Sequence, residues 1–414
     1  MRDYWEKTKI GDYCEVGDGA HASLDRQEDG IVYLTSKNFK DGGLDLSKVD
    51  YISEKTYKQY FRSDSRALTQ PQENDVIFSI IGTIGEPYVV KRGEKFGLSS
   101  AVSILRPDNE KVLTKYLYYW IRGHHFQDAI YSIKGGVAQS YISQEMIRSL
   151  PLYVPPISEQ SRIASILSAF DNHIENNTRR IEILEEMARR IYREWFVHFH
   201  YPGHENDELV DSGTELGEIP EGWEVKKLED FGEIVLGKTP STKDSENYGN
   251  HMPFIKTPDM HDQFFIHETE NVLSIKGVKT QKKKTLPADS ICVSCIGTAG
   301  VVAIISVPSQ TNQQINSIVP EDTALREYLY FTTKALKPLM EKIGSTGATM
   351  TNVSKTKFKG LPALKPSEEL LNEFHKKVGV LFDQISTLQK QNMKLKETRY
   401  LLLPKLISGE VEYV

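Results

Sequence analysis

The residues with the most evident chemical potential are cations. Lys276, Lys279, Lys282, Lys283 and Lys284 fall within one short span of the second half of the chain. Lysines so grouped favour a polyanion, because each one set against a phosphate releases a counterion. Lys238, Thr239, Ser241, Thr242, Lys243, Lys256 and Thr257 lie in neighbouring polar stretches and offer hydrogen-bonding groups for phosphates or base edges. The first half offers Lys37, Asn38, Lys40, Lys91, Arg92 and Lys134. Two Gly/Ser/Thr-rich loops add Gln139, Ser140 and Tyr141, and then Thr346, Thr349 and Thr351. The candidate nucleic-acid set is therefore Lys37, Lys40, Lys91, Lys134, Gln139, Ser140, Lys238, Thr239, Thr242, Lys243, Lys256, Lys279, Lys282, Lys283 and Thr349. The plain alternative is that these residues simply solvate surface loops.

Other chemistries fail on spacing. Cys292 and Cys295 form a CxxC inside an apolar run, and on a strand such positions face opposite ways, so no shared metal is expected. His198, His200 and His204 cluster without a cysteine or carboxylate at ligand spacing. The turns Gly82-Thr83-Ile84-Gly85 and Gly297-Thr298-Ala299-Gly300 lack the Gly-Lys-Ser/Thr of a phosphate loop. They are expected to be turns whose backbone could approach a ligand closely. No Asn-Pro-Pro-aromatic or Pro-Cys motif occurs for base methylation. Pro107-Asp108 and Pro258-Asp259 are not followed by a nuclease-type Glu-x-Lys. No catalytic residue, metal site or cofactor site is expected in this chain.

The elements that must position such loops stand out more sharply. Ile163, Leu167, Phe170, Ile174, Asn177, Ile181, Leu184, Ala188, Ile191 and Trp195 alternate steps of four and three, the a/d seam of a coiled coil. Leu371, Phe374, Val378, Leu381, Ile385, Leu388, Asn392, Leu395, Arg399, Leu402 and Leu406 repeat the pattern. Laid antiparallel, Asn177 faces Asn392, Ile163 faces Leu406, Ile174 faces Leu395, Ile181 faces Leu388 and Trp195 faces Phe374. One polar seam residue per helix is a device that fixes register and direction, so Asn177 and Asn392 are the expected register pair. Each seam would span about 50 Å at roughly 1.5 Å per residue.

The chain is also a duplication. Ile10-Gly11-Asp12-Tyr13 and Leu228-Glu229-Asp230-Phe231 open two similar plans. The glycine turns, Tyr116-Leu117-Tyr118-Tyr119 with Tyr328-Leu329-Tyr330-Phe331, and Leu150-Pro151-Leu152 with Leu361-Pro362-Ala363 follow in the same order. Corresponding points lie about 211–218 residues apart, too long a period for a solenoid. Short β-like runs with one or two helices per copy point to an α+β fold. The expected organisation is a globular domain over 1–154, a helix over 155–201, a polar linker over 202–218, a second domain over 219–364 and a second helix over 365–414. With 414 residues and a net charge of −6 there is no global basic signature, so any DNA contact must be local. Three cysteines suggest a reducing, cytoplasmic setting. The opening residues have no apolar core for a signal peptide, and the longest apolar run, Val301 to Val307, is too short to cross a bilayer.

Several phrases carry a family resemblance. They are Ile219-Pro220-Glu221-Gly222-Trp223-Glu224-Val225, Gly237-Lys238-Thr239-Pro240-Ser241, Arg179-Arg180-Ile181-Glu182-Ile183-Leu184, Trp195-Phe196-Val197 and Leu402-Leu403-Pro404-Lys405-Leu406-Ile407-Ser408-Gly409-Glu410. With the duplication, these make the chain resemble the specificity subunit of type I restriction-modification systems. The resemblance implies two target-recognition domains separated by two helices in an antiparallel coiled coil. It also implies that each domain reads one half of a bipartite, asymmetric site in double-stranded DNA. Two methylase subunits would dock on the helices, with restriction/translocase subunits joining the larger complex. S-adenosylmethionine, ATP and magnesium would then reside on those partners, and this chain would be non-catalytic. Exposed helix faces leave room for self-association of the isolated chain. An enzyme with an unfamiliar motif and a scaffold binding proteins or glycans are the competing classes.

Overall fold

The two seam stretches hold only Gly379 and, near the end of the second, Pro404 as residues that disfavour a helix, and they place apolar side chains every three or four residues, so each folds as one helix. The computed structural model describes residues 2–411 apart from 41–42, 66, 83, 136–141 and 346–350. Four helices organise the fold: α1 (Thr114–Arg122), α2 (Ile157–Phe196), α3 (Arg326–Ala335) and α4 (Glu368–Ile407). α2 and α4 are each 40 residues long, roughly 60 Å of helix. Pro156 precedes α2, and its carbonyl accepts from the backbone of Glu159 and Gln160. Ser367 Oγ caps α4 by accepting from Leu370 N at 3.3 Å.

Every seam position in both helices is buried or half-buried. Asn177 Nδ2 donates to Asn392 Oδ1 at 3.0 Å, the pair that the spacing sets opposite. Trp195 meets Phe374 with ring centroids 5.8 Å apart, so the two helices run antiparallel. The seam also holds an arrangement that periodicity does not suggest. Arg399 binds Asp171, and Asp171 in turn accepts from Tyr119 Oη at 2.5 Å. Burial and then that carboxylate push the Tyr119 phenol pKa upward, so it stays a donor.

The chain divides into two compact units, Met1–Ile174 with Lys394–Val414, and Glu175–Met393. In the first, strands β1 (Cys14–Asp18), β2 (Val76–Ser79), β3 (Pro87–Val89) and β4 (Val102–Pro107) form an antiparallel sheet of order β1-β4-β2-β3. The central strands are buried on both faces and alternate between two cores. Val76, Phe78 and Leu105 pack with Tyr116, Leu117 and Trp120 of α1, while Ile77 and Ile104 pack with Leu34, Phe39 and Leu98. The second core lies under a smaller sheet, in which Ile31–Leu34 pairs antiparallel with Asp50–Ile52 and parallel with Phe96–Leu98. Gln160, fully buried, ties α2 to this domain by accepting from Leu113 N and donating to the carbonyls of Lys111 and Pro155.

The second unit repeats the plan. Strands β5 (Gly232–Leu236), β6 (Phe265–Ile266), β7 (Ile291–Ser294), β8 (Val302–Ile305) and β9 (Ile315–Pro320) take the order β5-β9-β7-β8-β6, the same sheet with one strand added. Tyr248–Ile255 again pairs antiparallel with one strand, Asn271–Leu273, and parallel with another, Gln310–Thr311. Glu6–Lys9 pairs with Pro151–Val154 in the first domain as Glu224–Lys227 pairs with Pro362–Lys365 in the second. The duplication is thus one of topology as well as of phrases. Leu209–Asp211, within the expected linker, forms a short antiparallel ladder with Glu218–Pro220, which spans its boundary with the second domain, and composition alone does not announce it. Among the described residues no helix is long and apolar enough to cross a membrane.

Candidate nucleic-acid interface

In each domain the chain leaves the first sheet strand and crosses a loop at a glycine. A Cβ on Gly19 would lie 2.1 Å from the Leu98 carbonyl oxygen, and one on Gly237 would lie 2.0 Å from that of Asn312. Only glycine lets the backbones approach so closely. The next residue then donates its amide across the crossing: Ala20 N to Leu98 O at 2.8 Å, and Lys238 N to Thr311 O at 2.9 Å. Beside each crossing stands a glycine turn held alike, by Gly85 N to Ser79 O and Gly300 N to Ser294 O. Gly82, Gly85, Gly297 and Gly300 all have φ near +80°, the left-handed region that explains their residue type. In the second domain, Ile296 and Gly297 of this turn pair with Asn352 and Thr351 from the Ser/Thr loop. Two of the motifs singled out from sequence are therefore neighbours.

The cations divide into available and engaged groups. Lys238, Lys243, Lys279, Lys282 and Lys283 are exposed, as is Thr242, and Lys256 and Thr239 are half-buried. Lys284 instead donates to the Leu236 carbonyl at 2.8 Å. Lys276 is held by Asp244 at 2.8 Å and Glu246 at 2.7 Å, and those carboxylates raise its pKa. In the first domain Lys37 is exposed, Lys91 is exposed but engaged, and Lys40 pairs with Asp45 at 2.6 Å, which holds that carboxyl well below its usual range. Asn38 is buried and structural, since its side chain bonds Thr35, Asp45 and Lys48 backbone groups. Lys134 falls in the helix His124–Gly135, with its side chain outside the described set. Gln139, Ser140, Tyr141, Thr346 and Thr349 lie outside the described residues.

Sequence reasoning missed several residues that stand at the crossings. Lys355 is one: burial, then the nearby Lys284 and Lys359 ammoniums, lower its pKa, which marks a locally positive surface. The amide tract Asn312-Gln313-Gln314 is another. Thr239 Oγ1 donates to Gln313 Oε1 at 2.5 Å, and Asn312 Nδ2 donates to Gln314 Oε1 at 3.0 Å. A nearby residue on the preceding strand, Gln310, is fully buried and accepts from Gln281 Nε2 at 2.8 Å while donating to Thr285 Oγ1 at 2.9 Å. Gln310 thereby ties the lysine-bearing loop to the amide tract. The corresponding crossing in the first domain carries Ser99, Ser100 and Ala101, with an exposed His21 bound to the buried Asp18 at 2.8 Å. A run of amides in a strand-to-strand turn was the available signal. Cys292 and Cys295 are buried free thiols, pushed by burial up to about 12 and about 11, so they are inert. Among the described residues no group of three or more His, Cys, Asp or Glu side chains could hold a metal.

Comparison with known proteins agrees with this architecture. The family described as type I restriction modification DNA specificity domain matches residues 2–186 and again 220–368. The specificity subunit of the type I restriction enzyme HindI from Haemophilus influenzae is 32% identical over 401 residues, covering 82% of this chain and 87% of that protein. The MjaIX specificity subunit of Methanocaldococcus jannaschii is 27% identical, over 98% of this chain and 93% of its own length. The crystal structure of a type I restriction-modification S subunit from M. genitalium shares the fold, with a TM-score of 0.60 at 14% identity and coverage of 98% and 97%. The matched family is one of DNA specificity rather than of catalysis. Two copies of one recognition fold, each followed in the chain by a long seam helix, place this protein in the type I restriction-modification DNA specificity family.

Proposed function

We propose that the chain is the non-catalytic specificity subunit of a type I complex, in which each globular domain reads one half of a bipartite, asymmetric DNA site. The single observation that carries this reading is the repeated crossing: both domains build it with the same glycine and the same kind of backbone bond, yet present different residues on it. Identical frames with unlike surfaces are what two readers of unlike half-sites require. The antiparallel helices act as the spacer between the readers, and two methylase subunits dock on them, with restriction/translocase subunits joining the assembly. Joining two weak readers in one chain raises their combined affinity without new contacts. S-adenosylmethionine, ATP and magnesium are supplied on the partners, where target adenine would be flipped and methylated.

The test is methyl transfer to DNA from labelled S-adenosylmethionine. The purified chain alone should transfer nothing, and adding methylase subunits should label a two-part sequence. Transfer by the chain alone would overturn the assignment.

A further inference from the structure

We propose that Gln313 and Gln314, positioned by Thr239 and Asn312, are base-reading residues of the second domain and that they recognise A·T pairs through the major-groove edge of adenine. The proposal rests on the specificity-subunit reading above and deepens it. Its first support is position. Gln313 is exposed and Gln314 half-buried, on the crossing next to Lys238 and the Gly297 turn. Phosphate-binding cations beside exposed amides are the pairing that separates docking from reading.

The second support is orientation. Asn312 is only 7% exposed. The backbone N–H of Gln314 donates to Asn312 Oδ1 at 3.1 Å, so the other end of that amide must be its NH₂ group. That NH₂ donates to Gln314 Oε1, which settles the Gln314 amide in turn. Its Nε2 has no protein acceptor among the described residues, and Oε1 keeps a second lone pair. Gln313 is held by one contact, from the Thr239 hydroxyl. Each glutamine therefore offers a donor and an acceptor side by side on a braced side chain.

The third support is chemistry. Adenine presents N7 as acceptor and N6 as donor in the major groove, which a glutamine amide matches in bidentate fashion. Guanine presents two acceptors there, which a single amide cannot satisfy. The first domain has Ser99, Ser100 and Ala101 at the matching crossing, with no amide side chain. Adenine dependence through this element should accordingly be confined to one half of the site.

The experiment selects bound sequences from a random-sequence duplex library, using the full chain assembled with its methylase subunits. The wild type should select a two-part site with adenine in one half. Q313A/Q314A should keep the other half intact and lose the adenine preference at one or two positions, lowering affinity for the selected site roughly tenfold to a hundredfold. Affinity for unrelated duplex should hold, because the lysines are untouched, and T239V should weaken the same positions to a smaller degree. Unchanged selection by Q313A/Q314A would overturn the proposal. So would loss of preference in both halves together with a lowered melting temperature, which would make the tract structural. A wild-type complex that selects no sequence would sink the specificity-subunit reading itself, and this proposal with it.

Discussion

The buried asparagine pair permits a quantitative test of how the helices find their register. Asn177 and Asn392 are 6% and 8% exposed, and their side chains meet at 3.0 Å in an otherwise apolar stretch of the seam. Asn177 Nδ2 also reaches Gln391 Oε1 at 3.5 Å, and Asn392 Nδ2 reaches Thr178 Oγ1 at 3.3 Å, so both amides are braced. Truncating Asn177 to Ala removes the donor to Asn392 Oδ1 and leaves a buried amide partly unsatisfied. Such a loss costs about 1–3 kcal/mol. Asn392→Ala should cost a similar amount. The double variant leaves no orphan from this pair, so it should fall short of the summed losses by about 1 kcal/mol. Replacing both by Leu should exceed the wild type in stability while removing the polar cue to register. The assay is urea unfolding of the full chain followed by helical circular dichroism, with the four members of the cycle compared at equal slope. Losses that add within about 0.3 kcal/mol would show that the two asparagines act independently, and the pair could not then set the register.

Further outcomes follow from individual side chains and one lysine pair. His267 has a buried Nε2 without a partner, and burial, then Lys390, lower its pKa to about 4. The folded state thus resists protonation that the unfolded chain accepts below about pH 6.5. Stability should fall as pH drops from about 6.5 to 4, by up to about 3 kcal/mol before allowance for solvent screening, and H267Q should flatten that slope in pH-dependent urea titrations. Glu327 is fully buried between Arg326 at 2.6 Å and His375 at 2.6 Å. R326A removes the guanidinium and leaves the buried carboxylate only His375, so it should cost about 3–5 kcal/mol in the same unfolding measurement, whereas a change under about 1 kcal/mol would contradict the pairing. For DNA, K282Q/K283Q should reduce the slope of log K against log salt by about 2, since each phosphate contact contributes about 0.9. K284Q should change it little, because that ammonium is engaged by Leu236 O.

Helix spacing, helix direction and the duplication are legible in the sequence itself, because a seam that must avoid water leaves a strict period in the residues. The Asn177–Asn392 contact follows from counting alone. The crossings are not legible there, since Gly19 and Gly237 look like ordinary turn glycines and only the carbonyls that oppose them in space set them apart. Nor can counting tell which lysines are available. Lys276 and Lys284 are engaged by partners 30 and 48 residues away in the chain, and Asn38 is turned inward by three backbone groups. The Asp171–Arg399–Tyr119 contact escapes periodicity because it adds a polar lock to an apolar stripe. The amide tract escapes because Asn and Gln in a turn are common, and only the hydrogen bonds that brace them distinguish these.

The central requirement is that one chain hold two unlike readers at a set separation. Footprinting a target duplex with the chain and its methylase subunits tests this directly. Two protected stretches of different sequence are predicted, their centres about one helical turn apart, roughly 34–36 Å, with a shorter unprotected gap between them. One continuous protected stretch, or two stretches whose gap varies from site to site, would contradict it.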